Sequence, residues 1–281
     1  MRLFFTQWGA EVRKMLERKR TYIGFGAFVV MELVIYWLLQ GKTVGTMIRR
    51  GIVRQGESAE YYYSAYTLGM IVLALSLLLA AVFIALVAGD VVAKESEDGN
   101  LRMVLARPIS RLRLLFIKFL SCAVFSVVLV QFLVWSVLLT GIALRGFGGG
   151  MIFGIPEDNV VMMYDGPEAL QRYAMGSVGI AMSMVGVGSL AFMLSCFRIK
   201  PVAATISAVA YLLVDWILYQ TRLLDDYRPW MLTHYMSTWR FLFLENIPWV
   251  RIVRNYSILC GASFSLFVVG AAVFESRDLK S

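Results

Sequence analysis

Gly41–Lys42–Thr43 has the residue types of a phosphate-binding loop. A P-loop needs a further glycine five residues before Gly41, so that successive backbone N–H groups can cradle the phosphates. Tyr36 holds that position, and the triplet closes an apolar run instead of following a strand. HExxH and GxSxG are both absent from the chain. His234 is the single histidine, which excludes a multi-histidine metal site within one chain. Cys122, Cys196 and Cys260 each sit in an apolar run with no CxxC or Cys/His cluster, so they read as small buried hydrophobes. The remaining candidates are polar residues inside apolar runs: Glu32, Gln131 and Asp215. Acids at membrane depth cost about 2.5–3.5 kcal/mol each on insertion scales, so they face protein or water. Their functional reading is a polar translocation path. The plainer alternative is an interhelical hydrogen bond or, for Asp215, a place near the outer interface.

The elements that must position these residues follow from composition. The 281 residues are 59% hydrophobic and 16% charged, with mean hydropathy +0.69. Soluble domains average about 25% charged residues, so a bilayer is the natural solvent. Six segments are long and apolar enough to cross it: about 21–41, 67–89, 114–144, 173–197, 201–219 and 256–274. The expected fold is a single all-α transmembrane domain over 1–281. Residues 1–20 do not read as a cleaved signal peptide, because charges extend to Arg20 with no small-residue cleavage site after an early apolar core. They read as an interfacial amphipathic helix, with Leu3, Phe4, Trp8, Val12 and Met15 on one face and a basic opposite side.

Charge placement sets the expected orientation. With both termini cytoplasmic, the inner segments hold 16 of the 27 Lys and Arg residues and a net charge of +8, against +2 outside. The basic excess on one face suits anionic lipid, and this distribution argues against nucleic acid.

One charge-dense stretch interrupts the apolar runs: VVAKESEDGNLRMVLARPISRLRLLFIK, residues 91–118. Gly99 is a stop signal for a helix leaving the second span, and Asn100 can cap a new one. Leu101, Val104 and Leu105 then form a small apolar face, and Pro108 ends it. Ser110 can cap the helix that re-enters the membrane, where Arg111, Arg113 and Lys118 can snorkel to the headgroups. A two-turn helix is unstable alone, so either the bundle ends or a partner must hold it.

This stretch resembles the cytoplasmic loop of permease subunits of type-2 ABC exporters. The matching residues are Glu95, Glu97, Asp98, Gly99, Asn100, Leu101, Leu105, Pro108, Ile109, Ser110, Arg111 and Lys118. About 30 residues carry the motif, and the architecture agrees along the whole chain. Ile117 stands where that family often has glycine. The resemblance implies a coupling helix within a cytoplasmic loop over 90–113, with Glu95, Glu97, Asp98, Gly99, Asn100, Leu101, Arg102, Leu105, Arg107 and Pro108 docking on a separate cytoplasmic ATPase dimer. It implies no cofactor on this chain, since ATP and Mg would sit on that partner, and hence no enzyme activity of its own. It further implies a second permease copy or paralogue, residence as a multi-pass protein in the cytoplasmic (inner) membrane, and export of an unidentified substrate. The rival reading is an ATPase-coupled scaffold that transmits force to an extracytoplasmic partner. Asp98–Gly99 with Ala106–Arg107 also suggests a lipid-headgroup phosphotransferase, but that pattern allows two intervening residues and here there are six.

The outer segments carry less signal. Residues 145–172 begin RGFGGG and hold PEDN and YDGPE turns, which reads as a connector, with contact to a periplasmic partner as the alternative. Residues 220–255 are rich in interfacial aromatics, including Tyr227, Trp230 and Trp239, and are expected to form a re-entrant or surface helix pair. Gly176, Gly179, Ser183 and Gly186 recur at helical spacing in the fourth span and offer a close-packing face, within or between subunits.

Overall fold

The computed structural model describes residues 2–54, 58–99, 110–155 and 160–276. Ten α-helices and one β-hairpin appear among them: α1 Arg2–Leu16, α2 Lys19–Gln40, α3 Lys42–Arg54, α4 Ala59–Tyr62, α5 Ala65–Glu97, α6 Arg111–Arg145, β1 Met151–Ile155, β2 Val160–Tyr164, α7 Gly166–Ser195, α8 Pro201–Gln220, α9 Leu232–Met236 and α10 Trp249–Glu275. Two 3-10 segments, Arg222–Trp230 and Ser237–Phe243, flank α9. Six helices are long and apolar enough to span a membrane: α2, α5, α6, α7, α8 and α10.

Local chemistry fixes their ends. Ser64 precedes α5, and its Oγ accepts from the Tyr66 and Thr67 amides. Ser110 does the same for α6 through the Arg113 amide, as its sequence position suggested. Proline near the start of α7 and α8 suits a position whose N–H has no helical partner. Past α5 the chain turns at Gly99 with φ +73°, a conformation that costs glycine little.

The core lies between α5, α6 and α7. The middle of α7 is 72% buried, the most of any span, and its small residues explain how. A Cβ at Gly176 would fall 2.6 Å from the Phe243 ring, and one at Gly179 2.9 Å from Trp239 Cβ. The small-residue face therefore serves packing within the chain, against Ser237–Phe243 and α10. Arg172 ties that segment down by donating to the Leu242 and Leu244 carbonyls at 3.1 and 2.8 Å.

Two of the segments between spans carry structure of their own. Residues 42–66 hold α3 and α4, because Ile48 and Ile52 pack beside Tyr63. Within 145–172 an antiparallel hairpin pairs Met151 with Tyr164 and Ile155 with Val160. PEDN itself lies outside the described residues. The hairpin is held by the Ile152 amide donating to Thr67 Oγ1 at 3.0 Å and by Tyr164 Oη donating to the Phe243 carbonyl.

α1 and the last turn of α10 lie at the same end of the bundle. Arg111 at the start of α6 donates to the Glu275 carbonyl at the end of α10, and α1 pairs with α5 and α6 close by. The hairpin, α3, α4 and α9 occupy the opposite end.

Candidate functional site

At the terminal end, four charged side chains from three helices converge. Lys118 Nζ, on the second turn of α6, lies 2.7 Å from Glu11 Oε1 of α1 and 2.8 Å from Glu95 Oε2 of α5. Lys14, one turn from Glu11 on α1, pairs with the other Glu95 oxygen. Two acids thus meet two bases, and the Lys118 side chain is 1% exposed. A second pair, Arg20 with Asp90, joins the first turn of α2 to α5. Burying these charges is tolerable only because each has a partner; removing one partner of such a pair typically costs about 3–5 kcal/mol.

Lys118 therefore does not snorkel. It is enclosed because α1 lies across the start of α6, with the Phe4 and Phe116 rings 6.2 Å apart. The packed face of α1 includes Glu11 and Met15, whereas Leu3 is exposed. In sequence, Lys14 and Arg20 read only as part of the basic side of residues 1–20, and Glu11 and Asp90 have no assigned role. Each sits among other charges, and only the crossing of α1 over α5 and α6 makes them specific.

This cluster stands at the root of the 98–110 segment. Glu95 faces inward and is buried, while Glu97, Asp98 and Gly99 are exposed beyond it. Asn100, Leu101, Arg102, Leu105, Arg107 and Pro108, and with them the expected short helix, lie outside the described residues. At about 1.5 Å per residue, α5 and α6 each run to about 50 Å, well beyond the ~30 Å hydrocarbon core.

The intramembrane polar residues occupy different places. Glu32 on α2 is fully buried; Ser136 Oγ donates to its Oε1 at 2.8 Å, and Oε2 has no hydrogen-bond partner among the described residues. Nearby, Tyr36 and Tyr173 donate to the Val137 and Val134 carbonyls of α6. Gln131, further along α6, accepts from Trp135 Nε1 at 3.0 Å and Ser177 Oγ at 3.3 Å. Glu32 and Gln131 thus belong to a polar seam between α2, α6 and α7. Asp215 is separate: its Oδ2 accepts the Thr233 amide at 2.7 Å and so caps the start of α9. None of the three lines the two apolar cavities at the far end of the bundle.

Gly41–Lys42–Thr43 falls at the junction of α2 and α3, with no strand before it. Among the described residues, no three His, Cys, Asp or Glu side chains are grouped to hold a metal ion.

Six apolar helices, with α7 the most buried among them, define a polytopic α-helical membrane protein. The chain belongs to the family described as "Protein of unknown function (DUF2705)", whose sequence profile matches residues 52–275. It is also similar to the uncharacterized protein YhcI of Bacillus subtilis (strain 168), at 26% identity over 136 residues. That match covers 46% of this chain and 42% of the relative, so it spans less than half of either.

Proposed function

We propose that this chain is the permease subunit of a type-2 ABC exporter, moving an unidentified substrate with ATP hydrolysed by a separate cytoplasmic subunit. The observation that carries this reading is the ion-pair cluster of Glu11, Lys14, Glu95 and Lys118 at the base of the 98–110 segment. Force applied to that segment reaches α5 and α6 together, because Lys118 and Glu95 lock the two helices to each other and to α1. Two spans joined rigidly at one end suit a lever. The exposed Glu97 and Asp98 lie outward of this joint, where a partner can meet them.

In this reading ATP and Mg bind the partner ATPase dimer, a second permease copy or paralogue completes the pore, and the terminal end faces the cytoplasm. The basic excess at that end supports the orientation. Glu32 and Gln131 line or border the path, while Asp215 holds the outer loop.

Affinity purification of the tagged chain from its own membranes tests the reading. An ATPase subunit is expected to co-purify and to be lost or uncoupled in Leu101→Asp. Recovery of the chain without any ATPase would overturn it.

A further inference from the structure

Two apolar cavities lie side by side at the end of the bundle opposite the termini. The first, about 380 Å³, is walled by Leu77, Val187, Leu212, Trp216, Met236 and Trp239. The second, about 420 Å³, is walled by Ile48, Ile52, Met70, Ile71 and Val161. Both are lined by Ala74, Phe153 and Gly154, where β1 lies against α5, so they adjoin one another there. Each is of a size that holds a ligand. Gly154 is exposed at this junction, and a Cβ there would meet nothing within 4 Å.

The walls decide the occupant. Most of the lining is aliphatic and aromatic, which favours an apolar occupant; Ser183, Thr233, Ser237 and Arg240 are the polar side chains of the first chamber and Thr67 that of the second. The first chamber is bounded by the apolar runs of α5, α7 and α8, and Leu78, Leu213 and Trp216 are exposed at its lip. It therefore opens on the surface that the spans present to lipid. Among the described residues, neither chamber is lined by an acidic side chain. A cation stands at the first: Arg240, its guanidinium 5.8 Å from the Trp239 ring centroid. Trp216 and Trp239 are the side chains that favour the headgroup level.

We infer that these adjoining chambers form a trough that binds an anionic phospholipid of the surrounding membrane, with an acyl chain threaded past Ala74 and Gly154 and the phosphate at Arg240. The site stands whether or not the chain is an exporter, because nothing in it depends on the 98–110 segment.

Photo-crosslinking tests it. The full chain is reconstituted in phosphatidylcholine vesicles doped with either phosphatidylglycerol or phosphatidylcholine carrying a photoactivatable acyl chain, and labelled peptides are mapped by mass spectrometry. The phosphatidylglycerol probe is expected to label residues 74–82, 209–216 and 233–240 several-fold more than the phosphatidylcholine probe. Gly154→Phe fills the junction and is expected to abolish that labelling while leaving the lipid-facing sides of α2 and α10 labelled as before. Arg240→Gln is expected to bring the two probes to the same level. The site is refuted by labelling spread evenly over all exposed helices, by equal labelling from both probes on the wild-type chain, or by trough labelling that survives in a monodisperse Gly154→Phe protein.

Discussion

Lys118 bridges Glu11 and Glu95 at 2.7 and 2.8 Å while almost wholly removed from solvent. One ammonium therefore joins an amphipathic helix to two spans. The first consequence concerns stability. Lys118→Met leaves the half-buried Glu11 and one oxygen of the buried Glu95 without a partner, and is expected to destabilise the protein by about 3–5 kcal/mol. Glu95→Gln with Lys118→Met removes both sides together, and is expected to cost less than the sum of the single variants, with coupling of about 0.5–3 kcal/mol. Thermal unfolding of the four proteins in one detergent checks this; strict additivity would show that the side chains do not interact.

The charged stretch separates into two behaviours that its composition does not reveal. Glu97→Lys with Asp98→Lys changes exposed groups, so the membrane domain is expected to stay monodisperse while coupling to the ATPase is lost. Glu95→Lys places a third base beside Lys14 and Lys118 and is expected to lower the melting temperature itself. Gel filtration and melting curves, measured beside ATPase stimulation, separate the two. Equal loss of fold in both would show that Glu97 and Asp98 are also structural.

Glu32 is tested by its amide. Glu32→Gln retains an acceptor for Ser136 and the side-chain volume, so assembly is expected to be normal. If it borders the path as proposed, substrate-stimulated ATPase of the complex changes. Unaltered stimulation removes Glu32 from the path and leaves it as the α2–α6 hydrogen bond.

Packing around α7 gives a fourth expectation. Gly179→Ala puts a methyl group 2.8 Å from Tyr256 Oη and 2.9 Å from Leu242 and Trp239 atoms. Overpacking of this kind costs about 1–3 kcal/mol. Gly154→Ala, where nothing is within 4 Å, is the matched control and should melt as the wild type does. A wild-type melting temperature for Gly179→Ala would show that Ser237–Phe243 does not pack there in solution.

The spans are legible in sequence because membrane-crossing helices must be long and apolar, and their interiors match the expected segments closely. Their ends are legible only where a local signal marks them. Hydropathy stops near residue 89, but Gly99 marks the stop of α5, and the helix runs to Glu97, where Asp90 and Glu95 are neutralised by bases from α2, α1 and α6. The start of α10 has no such signal. Helix extends back to Trp249 because Arg251 stacks 4.1 Å over the Phe241 ring and Asn255 donates to Thr238. Such partners are distant in sequence, so local pattern cannot supply them. The hairpin was missed because its strands are five residues each and Gly154 interrupts one. The acidic and capping signals at Asp98, Gly99 and Ser110 were legible, being local. The trough was not, because it exists only where β1 lies against α5.

The central proposal is that residues 98–110 stand on a separate ATPase subunit. A photo-crosslinking amino acid at Leu101, activated in intact membranes, measures this most directly. A cross-linked product containing an ATPase subunit is the predicted result, and it should disappear when Glu97 and Asp98 are reversed. Cross-linking to lipid alone, or to an extracytoplasmic protein, would contradict it.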